Sequence, residues 1–109
     1  MSASINGTTI SLTRGDTLKL QVSMTRGGEE YIPALDDRIR FALKKKVTDD
    51  ETLILKNISP SDLILELKPE DTKPLSFGSY KYDIELTTSS GDVDTFIGPA
   101  TFNITEEVH

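Results

Sequence analysis

Apolar and polar residues alternate along most of this chain, with the period of two that is typical of half-buried β-strands. No stretch of ten or more residues has a helical period. A single helical turn is predicted to begin at Pro69, because Glu70 and Asp71 follow it in the first turn. Three consecutive apolar residues, Leu53 to Leu55, predict a strand that is buried on both faces. The alternating apolar positions are Ile10 and Leu12; Leu18, Leu20, Val22 and Met24; Ile39, Phe41 and Leu43; Leu63, Leu65 and Leu67; and Tyr80, Tyr82, Ile84 and Leu86.

The apolar positions near the C-terminal end of the sequence change parity. They are odd from Val93 to Ile97 and even from Ala100 to Ile104. A regular strand cannot do this, because a slip of one residue turns every side chain to the other face. A bulge or kink is therefore predicted at Gly98-Pro99.

Seven or eight short strands separated by turn residues indicate an all-β protein. The favoured fold is an immunoglobulin-like antiparallel β-sandwich with Greek-key connections, and a small closed barrel is the second possibility. Residues 1–109 are expected to form one domain, with its core at about residues 8–106 and loose ends at residues 1–6 and 107–109.

The amino-acid composition makes several classes of protein unlikely. Hydrophobic residues make up 36% and charged residues 28% of the chain, and no apolar run approaches the roughly 18 residues of a membrane helix. The chain has no cysteine, which excludes disulfides, thiol catalysis and thiolate metal sites. The first residues do not have the pattern of a secretory signal, so a protein that is made in the cytosol and not exported by a signal peptide is expected. A formal charge of −6 disfavours nucleic acid as a partner.

Catalytic and metal-binding motifs are missing from the sequence. The one histidine is His109, and the pair Gly27-Gly28 is not followed by a helix as a phosphate loop would be. Acidic residues cluster at Asp36-Asp37, Asp49-Asp50-Glu51 and Asp92 with Asp94. The last two clusters could contribute oxygens to a calcium site, but aspartate is also common in turns because it bonds the local backbone. The turn interpretation is favoured, and neither an enzyme nor a cofactor is predicted.

The stretch "PEDTKPLSFGSYKYDIEL", residues 69–86, has the spacing of a tyrosine corner. In immunoglobulin-like sandwiches such a tyrosine folds back and bonds the backbone of the preceding turn. The tyrosine here is Tyr80, Leu75 would close the end of the sandwich, and Gly78 would permit close approach. Tyr82 is the next inward residue of the same strand. The predicted structural corner is Asp71, Leu75, Gly78 and Tyr80.

Three blocks also carry a family resemblance: "RGDTLKLQVSM", "DDRIRFALKK" and "LKPEDTKPLSFGSYKYDIELTTSSGDVDTFIGPATFNITEEV". Their arrangement resembles small immunoglobulin-like proteins of phages and prophages, in particular the N-terminal domain of the baseplate upper protein family from tailed phages of Gram-positive bacteria. The resemblance runs from about Ile10 to Val108. Baseplate proteins of that kind continue into further domains, whereas this sequence stops at His109, which predicts a stand-alone relative with another position in the virion.

The resemblance implies a non-enzymatic structural or assembly module of a phage or prophage particle, in tail or baseplate. Its partners would be other virion proteins or copies of itself, as in a homo-oligomer, and neither nucleic acid nor membrane. The alternative is a free-standing domain that recognises carbohydrate or a cell-surface protein through its loops, where Tyr31 is the obvious exposed aromatic. Phe77 and Phe96 are expected to be core or turn-packing residues.

Open sheet edges are the expected contact surfaces of such a sandwich. The run Lys44-Lys45-Lys46 reads as the solvated end of a strand. Together with Pro99 it also looks like protection of an edge. The last strand, at Thr101 to Thr105, or the first strand is the expected oligomer contact. The candidate contact residues are Tyr31, Thr101, Asn103 and Thr105.

Overall fold

The computed structural model describes residues 3–6, 9–26 and 29–106, and the regular secondary structure of this part of the chain is β-strand apart from one helical turn. The all-β class predicted from the alternation is confirmed. The elements, in chain order, are β1 (Ala3–Asn6), β2 (Thr9–Thr13), β3 (Leu18–Gln21), β4 (Thr25–Arg26), β5 (Glu29–Glu30), β6 (Arg38–Lys44), β7 (Ile54–Ile58), β8 (Ile64–Leu67), α1 (Pro69–Thr72), β9 (Gly78–Thr87) and β10 (Val93–Thr105).

A six-stranded sheet in the order β1-β2-β10-β9-β6-β7 is the main element of the fold. The pairs β3-β8 and β4-β5 form two further antiparallel ribbons. The large sheet is mixed, because β2 and β10 run parallel, with Phe102 opposite Ile10 and Ile104 opposite Leu12. The expectation of a purely antiparallel arrangement is wrong for this pair.

The core lies between the inner face of the large sheet and the β3-β8 ribbon. Leu18, Leu65 and Leu67 of the ribbon belong to the same buried cluster as the residues of the large sheet. Phe41, Tyr82 and Phe102 meet at its centre, with ring centroids 5.4 to 6.2 Å apart. Burying aromatic rings in such tilted and edge-to-face pairs stabilises the fold beyond the area removed from water.

Two expectations about strand boundaries and burial are corrected. Residues 3–6, predicted to be a loose end, form β1 and pair with β2; residues 1–2 and 107–109 lie outside the described residues. Leu55 is 58% exposed although burial on both faces was predicted from Leu53 to Leu55. The reason is that β7 has one buried face, which Ile54 and Ile58 occupy, while Leu55 lies opposite Ala42 on the outer face.

Strand β10 changes register twice against β9, once between Thr95 and Ile97 and again between Ile97 and Ala100. The second shift is the irregularity predicted at Gly98-Pro99. The first shift was not predicted, and it explains why Val93 and Thr95 are exposed although they share the odd parity of Ile97. Each shift adds one residue to β10, so each turns the following side chains over.

The helical turn predicted at Pro69 is present as α1. The carboxylate of Asp71 accepts a hydrogen bond of 2.7 Å from the backbone N–H of Lys68, which satisfies a donor at the start of the turn. The side chain of Thr72 is fully buried, and its hydroxyl oxygen accepts the N–H of Gly15 at 2.9 Å. The connection before β9 is thereby fixed to the turn between β2 and β3.

Candidate functional site

Of the four residues of the predicted corner, Asp71 belongs to α1, Leu75 lies in the turn that follows, and Gly78 and Tyr80 belong to the start of β9. Tyr80 is 3% exposed, and its hydroxyl donates a hydrogen bond of 2.6 Å to the carbonyl of Ser76. The predicted bond from this tyrosine to the turn backbone is therefore present. The ammonium group of Lys45 lies 4.4 Å from the centre of the Tyr80 ring and covers its outer side.

The other corner residues have distinct contacts. Leu75 packs partly buried against the core, and its carbonyl accepts a hydrogen bond of 3.4 Å from the Arg14 guanidinium. Asp71 forms an ion pair with Lys56 at 3.0 Å. Gly78 has a φ of +139°, and the close neighbour of a Cβ there would be the Lys45 amino nitrogen at 3.2 Å. These contacts hold the turn together and leave the Tyr80 ring out of reach of a partner.

Thr101, Asn103 and Thr105 do not lie at a sheet edge, so the prediction of an edge contact there is wrong. Strand β10 lies between β2 and β9: Asn103 pairs with both strands, Thr101 with β9 and Thr105 with β2. The edges of the large sheet are β1 and β7. The predicted alternative, the first strand with Ile10 and Leu12, is β2 and is also interior. The three side chains lie on the outer face and bond their neighbours, for example Lys81 Nζ to Thr101 Oγ1 at 3.0 Å and Ser79 Oγ to Asn103 Oδ1 at 2.7 Å.

Two sequence features were predicted to protect a sheet edge, and the structure agrees with only one of them. The run Lys44-Lys45-Lys46 begins at the end of β6, which is paired on both sides, so it protects no edge. Lys45 and Lys46 are exposed, as expected for a solvated strand end. Pro99 lies in the part of β10 for which the described residues give β9 as the only paired strand. A proline is suited to such a position because it has no N–H to offer to a further strand.

The acidic clusters bond nearby groups in their own loops. The carboxylates of Asp37 and Asp49 accept the N–H groups of Ala34 and Lys46 at 2.9 and 3.1 Å. Asp92 accepts a hydrogen bond of 3.4 Å from the hydroxyl of Ser90. The favoured interpretation, aspartate as a turn residue, describes these contacts. Among the residues that the structure describes, no three acidic, histidine or cysteine side chains are grouped so that they could hold a metal ion.

Residues 31–37 form the loop between β5 and β6, which we call the 31–37 loop. Its predicted contact residue, Tyr31, is half-buried: the ring lies 5.4 Å from that of Phe96, and the hydroxyl donates to Asp37 at 3.2 Å. Asp37 is itself 7% exposed and accepts the N–H of Ala34. These contacts of partly or fully buried side chains fix the conformation of the loop.

The exposed apolar residues of the 31–37 loop are Ile32 and Leu35, at 79% and 82% exposure. Sequence reasoning missed them because it looked for exposed aromatic rings. One indication of their exposure was present in the sequence, because they are two large aliphatic residues in a proline-containing stretch with no alternating pattern. Phe96 packs partly buried, as predicted, while Phe77 is 43% exposed with the guanidinium carbon of Arg14 4.3 Å from its ring centre.

A second feature is an open cavity of about 350 Å³ on the outer face of the large sheet, beside the second register shift of β10. Ala42 of β6, Asp83 of β9 and Pro99 of β10 contribute to its lining, so three neighbouring strands build it. Sequence reasoning did not find this cavity. The change of parity at Gly98-Pro99 located the irregular backbone but gave no indication of what lies beside it.

No protein-family model matches the chain, and neither a curated protein nor a solved structure shows significant similarity to it. In the described part of the chain, no helix has the length and apolar character needed to cross a membrane.

Proposed function

We propose that this protein is a non-enzymatic structural or assembly module of a phage or prophage particle, in tail or baseplate, that acts by docking on another virion protein. The observation that carries the proposal is the 31–37 loop. Ile32 and Leu35 are almost fully exposed there, on a backbone that Tyr31, Asp37 and Phe96 hold in place. Exposed aliphatic side chains on a fixed loop favour docking, because little conformational entropy is lost when a partner covers them.

Support for an immunoglobulin-like sandwich comes from two features of the fold. The first is the pair of layers, a large sheet and the β3-β8 ribbon, that share one core. The second is the bond from Tyr80 to the turn before its strand, which is typical of the tyrosine corner in such domains. Domains of this type present loops at the ends of the sandwich as binding surfaces.

Assembly in a virion would compensate for the low intrinsic affinity that is expected of such a small apolar surface. Two aliphatic side chains form the centre of a contact much smaller than a typical stable interface. Repeated copies in a symmetric particle would convert weak single contacts into firm attachment, because linked contacts act at high effective concentration.

The alternative, a domain that recognises carbohydrate through loop aromatics, has less support. A sugar-binding loop would present an aromatic face, whereas the Tyr31 ring packs on Phe96 and its hydroxyl bonds Asp37. The large exposed hydrophobic residues of this loop, Ile32 and Leu35, are aliphatic, which favours a protein partner.

A double variant, Ile32→Ser with Leu35→Ser, tests the proposal. Its matched control is Val47→Ser with Leu55→Ser, because these two residues are also exposed, at 55% and 58%, but lie elsewhere on the surface. Sedimentation and light scattering would be run on the protein alone and mixed with candidate tail and baseplate proteins. We expect the loop variant to lose a complex that the control retains. A strict monomer that binds none of these virion proteins would contradict the proposal.

A further inference from the structure

Strand β7 is an edge of the large sheet, and among the described residues it pairs with β6 alone. Its other side borders an open groove of about 460 Å³, which is lined by Lys56 and Asn57 of β7 and by Ile64 and Glu66 of β8. Strand β8 pairs with β3 and not with β7. The backbone N–H and C=O groups of β7 that point away from β6 are therefore open to another strand.

The usual protections of an edge strand are weak on β7. Its five residues include no proline, and they pair with β6 in unbroken register, so no bulge turns the edge away. Its one charged residue is Lys56, whose ammonium group lies 3.0 Å from the carboxylate of Asp71. Because this ion pair neutralises the lysine and draws its side chain toward α1, the charge that commonly repels an incoming strand is reduced.

The outer face of the sheet is apolar beside this edge. Leu55 is 58% exposed and lies opposite Ala42 of β6. Ala42 and Val47, which is 55% exposed, line the same cavity. A strand that paired with β7 would place its own outer side chains against Leu55.

We propose that β7 pairs antiparallel with β7 of a second copy of this chain, about a two-fold axis perpendicular to the large sheet. This axis keeps the outer faces of the two sheets on one side, so one residue of β7 lies opposite its own copy. The pairing is self-complementary and closed, because each copy covers the edge of the other and neither β7 edge is left open.

The residues of β7 select the position of the axis. An axis at Lys56 would place two lysines directly opposite each other, which is unfavourable. An axis at Asn57 would place Pro60, which has no N–H to donate, opposite Ile54. An axis at Leu55 places leucine against leucine on the outer face, and the apolar surfaces of the two copies become continuous.

The length of the edge sets the strength of this contact. A strand of five residues is about 17 Å long, so the paired edges alone do not reach the ~800 Å² per partner of a standard stable interface. The dimer is therefore weak in free solution, with a dissociation constant of about 0.1 to 1 mM. Copies held side by side in an assembly would pair at a high effective concentration.

Single cysteine substitutions test the contact and its register, because the natural chain has no cysteine. Leu55→Cys would bring two thiols opposite each other, with Cβ atoms about 5 Å apart, so a small adjustment permits a disulfide. Asn57→Cys would separate the thiols by four positions along the strands, about 14 Å, which is too far. Val93→Cys is the matched control, because Val93 is 56% exposed and lies on β10. With oxidised glutathione, we expect Leu55→Cys to form the covalent dimer at least tenfold faster than the other two.

Sedimentation equilibrium and nuclear magnetic resonance measure the non-covalent dimer. The amide signals of residues 53–58 should shift saturably as the protein is concentrated. Leu55→Lys places two ammonium groups opposite each other at the axis and should weaken self-association at least tenfold, whereas Val93→Lys should not change it. Ile32→Ser with Leu35→Ser should also self-associate like the natural sequence, which separates this contact from docking through the 31–37 loop.

Two results would overturn the proposal. One is a monomer at about 2 mM protein whose signals at residues 53–58 do not depend on concentration, since a dissociation constant of about 1 mM would give much dimer there. The other is equally fast crosslinking of Leu55→Cys and Val93→Cys, which would show that the two copies meet without the assigned strand pairing.

Discussion

The Tyr80 hydroxyl and the Ser76 carbonyl are joined by a hydrogen bond of 2.6 Å that closes the turn before β9. Tyr80→Phe keeps the buried ring and removes the donor, so the Ser76 carbonyl loses its partner. We expect a loss of about 1 kcal/mol or more in the free energy of unfolding, measured by urea denaturation. Binding of a virion partner should persist, because the Tyr80 ring is 3% exposed. A variant with normal stability that had lost its partner would show instead that Tyr80 belongs to an interface.

Thr72 is a buried polar side chain whose hydroxyl accepts the N–H of Gly15 at 2.9 Å. Thr72→Val preserves the shape and leaves that N–H unsatisfied, so we expect destabilisation of about 1 to 3 kcal/mol and faster hydrogen exchange at the Gly15 amide. Thr72→Ser is the control, because it keeps the hydroxyl and loses one methyl group. Equal exchange rates at Gly15 in the two variants would contradict the assigned bond.

A glycine is required at position 98, both because of its backbone conformation and because a side chain would have no room. Its φ is +133°, and a Cβ there would overlap the Cβ and Cα of Asp83. Gly98→Ala should therefore lower the free energy of unfolding by about 2 kcal/mol or more. Gly91→Ala isolates the steric part of this cost, because Gly91 also has a positive φ, +95°, but nothing lies within 4 Å of its Cβ position. Thermal melting of both variants should show the larger loss for Gly98→Ala, and an equal loss would exclude close contact with Asp83.

Burial raises the pKa of the Tyr82 phenol above its ordinary value of 10.0, because desolvation disfavours the phenolate. The folded protein holds this proton more tightly than the unfolded chain does. The associated stability is therefore fully present below pH 10.0 and is lost as the pH rises through the folded-state pKa. We expect the melting temperature to fall more steeply above about pH 10 in the natural sequence than in Tyr82→Phe. Parallel slopes in the two proteins would show that Tyr82 does not contribute.

Sequence patterns correctly predicted those elements of the fold that depend on residues close together in the sequence. The alternation of apolar residues from Tyr80 to Leu86 predicted the inward face of β9. Pro69 and the two acidic residues after it predicted α1. The spacing from Asp71 to Tyr80 gave the turn and its hydrogen bond to the tyrosine. In each case the residues that determine the structure are close together in the sequence.

Pairing between distant strands could not be predicted in the same way. The parallel pair β2-β10 depends on which strands the chain places in the other layer, and no residue of either strand encodes this locally. The residues of β1, "ASIN", alternate over only four positions near the start of the sequence, where a loose end was expected, so their pairing with β2 was not foreseen. Edge contacts at Thr101 and Thr105 were predicted on the assumption that the last strand lies at the outside.

The exposure and burial of individual side chains could not be predicted from the sequence for a related reason. Ile32 and Leu35 resemble core residues in the sequence, and only the tertiary fold leaves them exposed. Asp83 resembles an ordinary solvent-facing residue of an alternating strand. In the structure its Oδ1 atom is buried, and Gly98, which is fifteen positions away in the sequence, lies close to its Cβ.

The interior position of β10 also constrains the order of events during synthesis. Ser11 and Asn103 are neighbours across the parallel pair although 92 positions separate them. Until the ribosome has released β10, the β1-β2 hairpin has no connection through the sheet to β9, β6 and β7, and the nascent chain exposes unpaired strands. Folding of this domain should therefore be a late and non-local event, which makes the nascent chain a candidate client for chaperones that shield exposed strands.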